Sequence, residues 1–106
     1  MRATEKTREE FKELLDERKT FHIGYIELER FLSKIFKQDV QIIDCINDSV
    51  REASVLDMPK EEDVKEIEML IRRDNAFEYW RIHQVFEWLV YNGYIDKGYY
   101  FVDFWW

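Results

Sequence analysis

The chain of 106 residues carries 16 basic and 23 acidic side chains, for a net charge of −7, with one cysteine, three glycines and one proline. This length suits a single domain spanning residues 1–106, and an apolar fraction of 46% is enough to build one core despite 37% charge. The lone Cys45 excludes an internal disulfide, and no window has the apolar length of a signal peptide or a membrane span. The expectation is an intracellular, cytoplasmic protein without membrane contact.

Thr7 and Glu10 have capping-box spacing, with Phe11, Leu14 and Leu15 behind them on one face, which predicts a helix over about residues 8–19. Gly24 then sits where a bend needs conformational freedom. In the next segment, Leu28, Phe31, Leu32, Ile35 and Phe36 recur at i, i+3, i+4, i+7 and i+8. Charged residues fill the opposite side, so this is an amphipathic helix with its stripe in the core.

Residues 39–57 carry a mixed signal. Ile42, Cys45, Ile46, Ser49 and Ala53 share a helical face that Asp39 would cap, while the β-branched residues in "VQII" and "SVL" suit short strands. Helix is the favoured reading, broken around Asn47–Asp48–Ser49. Pro59 then opens a helix with Glu61, Glu62 and Asp63 near its positive end and Arg72 and Arg73 near its negative end. Val64, Ile67, Leu70 and Ile71 are its buried stripe.

Asn75, with Glu78 three residues on, predicts the cap of a last helix running to Tyr91, stopped by Asn92–Gly93. At roughly 100° per residue this helix has two apolar arcs. One holds Tyr79, Ile82, Val85, Phe86, Leu89 and Val90, and the other holds Phe77, Trp80, Trp88 and Tyr91. Tyr94–Ile95, an Asp96–Lys97–Gly98 turn and Tyr99–Phe104 complete the pattern as a C-terminal β-hairpin covering the second arc. Strand alternation leaves Tyr99, Phe101, Asp103 and Trp105 facing outward. The fold class is therefore mainly α (α+β), with four to five helices and a small C-terminal hairpin, an order compatible with a winged helix.

Chemistry-bearing motifs are missing from this pattern. Three isolated glycines exclude a phosphate loop or a nucleophile elbow, and His22, His83 and Cys45 belong to no close ligand pair. The expectation is no enzyme, no metal and no cofactor. His83 and Glu87 at i, i+4 read as a structural pair. Basic residues nowhere cluster, and the last helix carries one arginine, two glutamates and no lysine, which argues against direct nucleic-acid binding.

In size, charge and lack of catalytic motifs the chain is similar to the small acidic inhibitors that phages and mobile elements carry, anti-CRISPR proteins among them. That resemblance implies a stoichiometric inhibitor of a nucleic-acid-handling or defence protein of the host. The leading expectation is a protein-binding module for a partner with a basic surface. Trp80, Trp88, Tyr99, Phe101 and Trp105 are its aromatic anchors, and Glu87, Asp96 and Asp103 their charged neighbours. The alternatives are a nucleic-acid-binding winged helix and a homodimer or larger assembly of one chain.

Overall fold

A computed structural model describes residues 2–15, 22–45 and 49–104. In chain order these form α1 (Glu5–Leu14), β1 (His22–Gly24), α2 (Tyr25–Phe36), β2 (Gln41–Ile43) and β3 (Ser49–Glu52). They continue with α3 (Glu61–Asp74), β4 (Ala76–Glu78), a 3-10 turn at Tyr79–Arg81, α4 (Ile82–Tyr91) and β5 (Phe101–Phe104). The chain is thus a mixed α and β fold in which four helices dominate, as the composition predicted.

The helices follow from local chemistry. α1 begins earlier than expected, because Thr4 caps it and Thr7 returns the bond to the Thr4 backbone, so Thr7 is the second half of the capping box. The expected stretch beyond Leu15 lies outside the described residues. Gly24 has an ordinary φ of −71° and acts as the N-cap of α2, with no bend that requires glycine. α2 buries Leu28, Phe31, Leu32 and Phe36 of the stripe read from its spacing, leaves Ile35 half-buried and buries Tyr25 in addition. α3 carries the expected charges at its ends and buries Val64, Ile67 and Ile71, but Lys60 is its N-cap, so Pro59 lies before the helix, and Leu70 is only half-buried.

Three expectations are corrected. The 39–57 segment holds two strands, not a helix. β2 pairs in parallel with β4, and β3 pairs antiparallel with β5. The β-branched residues win because both strands find partners distant in sequence, which helical periodicity cannot register. Asn75 does not cap the last helix. It ends α3 in the left-handed conformation, φ 55°, which asparagine tolerates, and the chain then extends as β4 with Phe77 buried.

The third correction concerns the tail. Tyr94–Ile95 form no strand, so residues 94–104 are not a hairpin. β5 is instead the middle strand of a sheet ordered β1-β5-β3, parallel to β1 and antiparallel to β3. Its ladder with β3 continues as Ala53 N–H donates to Tyr100 O and as Val55 and Gly98 exchange two bonds, each at 2.8 Å. A winged helix places a hairpin after its last helix, and among the described residues one central strand stands there.

The tail also covers a different arc from the one expected. Tyr100 packs on Phe86 at 5.4 Å between ring centroids and Phe104 on Tyr79 at 6.1 Å, so the inward row at residues 100–104 covers the first arc, and Phe104 also stacks on Tyr25 of α2. In the second arc Trp88 is closed in by the end of α2, α3 and Tyr94, while Trp80 stays open. Trp88 lies against Phe36 at 4.9 Å and stacks on Tyr94 at 5.4 Å, and its indole N–H donates to Glu68. α4 stops as predicted: Gly93 holds φ 83°, where a side chain would be strained, and buried Asn92 donates from Nδ2 to Trp88 O.

A candidate protein-docking face

Sheet alternation assigns the two sides of the β1-β5-β3 sheet. Ile23, Val102 and Phe104 face the helices and are buried. His22 pairs across from Phe101, Gly24 from Asp103, and Val50 and Glu52 from Asp103 and Phe101, so these residues share the other side. Tyr99, two residues before Phe101 and just ahead of β5, is 55% exposed, with Val50 at 53% and Leu56 at 55%. An apolar and aromatic surface therefore lies on a hydrogen-bonded sheet, with Glu52 and Asp103 among its members.

Phe101 is held by local contacts. The His22 ring stacks on it at 4.9 Å and 23°, while His22 Nδ1 lies 3.1 Å from an Asp103 carboxylate oxygen. Both polar side chains are largely shielded. The triad joins two parallel strands, so sequence spacing had no means of revealing it; the only signal was Asp103 interrupting an apolar row.

The sequence-predicted site residues fall into five groups. Tyr99, Phe101 and Asp103 come together on the outer sheet face, in the alternation expected. Trp105 lies outside the described residues. Trp80, 52% exposed, and Glu87 line a separate open groove with Asp63, Arg81, His83 and Gln84. There the Trp80 ring meets Tyr79 edge-on at 5.6 Å, and the Arg51 guanidinium lies 5.0 Å from the Tyr79 centroid. Asp96 forms an exposed ion pair with Arg8 of α1 at 3.1 Å, and Arg8 also donates to Gly93 O. Asp96 thus helps tie α1 to the segment after α4.

Trp88 is the correction in this set. It is 1% exposed, enclosed by Phe36 and Tyr94, and offers no surface to a partner. The sequence showed that the second arc of α4 needed a cover but not that α3 and the end of α2 would supply it. Residues that reading missed are Val50 and Leu56, whose exposure became visible only once β3 was a strand beside β5.

The titratable groups give little support to covalent chemistry. The Cys45 thiol donates to Ile42 O, and burial, followed by the nearby Glu29 and Asp44 charges, raises its pKa above the ordinary thiol value. A nucleophilic cysteine needs the opposite shift. Glu87 also lies above the usual carboxylate range, chiefly through burial, with His83 at 4.0 Å opposing the shift and Asp63 adding to it. Among the described residues, no three His, Cys, Asp or Glu side chains gather as metal ligands would, and no helix is long and apolar enough to cross a membrane.

Comparison with protein-family models, with curated proteins and with solved structures finds no match for this chain.

Proposed function

We propose that this chain is a non-enzymatic module that binds another protein and inhibits it by stoichiometric occupation of a basic surface. In this reading it works in the cytoplasm against a nucleic-acid-handling or defence protein, as phage-encoded inhibitors do. The observation that carries the reading is the outer face of the β1-β5-β3 sheet, where Val50, Leu56 and Tyr99 remain more than half exposed. Clustered apolar side chains on a small domain mark surfaces that meet other molecules. Here they sit on a hydrogen-bonded sheet, so docking would need little ordering of the backbone.

The net charge of −7 supports a basic partner. Long-range attraction accelerates encounter, and aromatic side chains then supply the contact area. Trp80 and Glu87, in their own groove, are a secondary contact in this reading.

Photo-crosslinking in the source cells tests the proposal. A photoreactive amino acid in place of Tyr99 should trap one discrete protein, and the same probe in place of Met69, exposed on α3, should not. Trapping should weaken as salt rises. Equal trapping at the two positions, or none at either, would remove the sheet face as the docking surface. Retardation of duplex or single-stranded nucleic acid by the purified chain at low salt would favour the nucleic-acid alternative.

A further inference from the structure

β3 is an edge strand, and its ladder phase is known. Ala53 and Val55 direct their backbone N–H groups to β5. In an antiparallel pair such residues alternate with residues whose backbone groups point the other way. Val50, Glu52 and Ser54 therefore present N–H and C=O groups to the open side, and among the described residues those groups have no backbone partner. An unpaired edge of this kind is a template for another strand.

We propose that this edge pairs with β3 of a second copy of the chain, antiparallel, about a two-fold axis at Ala53. Four neighbouring registers preserve the alternation of faces and keep the central residues overlapped, and centring on Ser54 sets the Glu52 carboxylate against apolar Leu56. Centring on Arg51 sets that guanidinium opposite itself, and centring on Glu52 does the same to the carboxylate. Like charges directly opposed across a ladder are destabilising. Centring on Ala53 opposes neither. It sets Glu52 against Ser54 and exposed Val50 against exposed Leu56, each pair occurring twice by symmetry.

The pairing uses chemistry already present within the protomer. The Ser54 hydroxyl donates to Glu52 Oε1 of its own chain at 2.6 Å, and across the axis it meets the same carboxylate of the other copy. Ala53 on the axis is small and uncharged, so the residue that faces its own copy there meets no like charge. The two three-stranded sheets become one continuous sheet, and their outer faces join. This inference does not rest on the partner-binding reading, and its salt dependence has the opposite sign. Two chains of net charge −7 repel, so screening strengthens self-association while it weakens attraction to a basic surface.

A single strand edge buries less than a standard interface, so the dimer belongs among weak, concentration-dependent associations. Sedimentation equilibrium from about 10 µM to about 1 mM, at low and at roughly 0.5 M salt, tests it. The expected result is a mean mass that rises from monomer toward dimer, at lower concentration in high salt. Ser54→Pro removes an outward N–H without touching the β3–β5 ladder and should stay monomeric throughout, with wild-type circular dichroism. Should Ser54→Pro unfold, Leu56→Glu alters no backbone bond and should abolish association by itself. A wild-type chain that is monomeric at the highest concentration overturns the proposal, as does a folded variant that dimerises like wild type.

Discussion

Along residues 99–104, Tyr100, Val102 and Phe104 are sealed against α2 and α4, while Tyr99 and Phe101, of the same chemical kind, lie on the side away from the helices. The same contrast recurs between Trp88, enclosed at 1% exposure, and Trp80, open at 52% two helical turns earlier. Aromatic content alone does not separate core from surface. What separates them is whether another element lies within reach: α3 and the end of α2 close over Trp88, and nothing among the described residues closes over Trp80. The enclosed rings hold the fold together, and the open ones are free to meet other molecules.

The sharpest way to break this contrast is to remove the enclosed tryptophan. Trp88→Ala should cost about 3–5 kcal/mol in urea unfolding, because it leaves a cavity between Phe36 and Tyr94 and strands the Glu68 contact. A loss below about 1 kcal/mol would mean that Trp88 is not enclosed in solution.

On the opposite face of the sheet, Asp103→Ala should cost roughly 1 kcal/mol, since it removes the partner of His22, whose ring stacks on Phe101. Thermal unfolding at pH 7 checks the value, and a neutral result would show that the His22–Asp103 contact contributes nothing there.

Glu29 offers a pH test. Its carboxylate accepts the Ile42 N–H at 2.7 Å, yet burial, the larger influence, raises its pKa above the ordinary value. A raised folded pKa means that the native state binds an extra proton, so this group favours folding below its unfolded pKa and loses that contribution as pH rises through the folded value. Glu29→Gln keeps an acceptor and has no charge to bury. It should match wild type at pH 4 and be slightly more stable at pH 7, by less than about 1 kcal/mol because the carboxyl is partly solvated. Equal stabilities at both values would remove the burial argument.

The smallest effect on stability belongs to the exposed rings. Tyr99→Ala and Trp80→Ala should each shift stability by no more than about 0.5 kcal/mol. Under the proposed function, Tyr99→Ala should nevertheless weaken partner binding tenfold or more, about 1.4 kcal/mol, measured by titration calorimetry with the trapped partner. The two tyrosines of adjacent position then separate cleanly: Tyr100, which packs on Phe86 and donates to Asp96 O, should affect folding first.

The elements most legible in the sequence were those whose stabilising contacts are patterned within one segment. Leu28, Phe31, Leu32 and Phe36 announce α2 by spacing alone, and the acidic start and basic end of α3 mark its direction. The outward row of Tyr99, Phe101 and Asp103 was legible for the same reason, because strand alternation holds whatever the partner strand is. Asn75 shows where such reading stops. Its residue type suits a helix start and a left-handed helix end equally well, and the pairing of β4 with β2 decided between them.

Composition, charge and periodicity thus determined by themselves that this chain is an acidic, helix-dominated domain with a tail alternating between two aromatic rows. Tertiary structure alone decided that residues 41–43 and 49–52 are strands, that β5 runs between β1 and β3, and that Trp88 is covered while Trp80 is not. The physical reason is the range of the interactions. Periodicity records which side of an element is apolar, whereas burial depends on backbone pairings and packing partners far apart in the chain, whose identity no local pattern encodes.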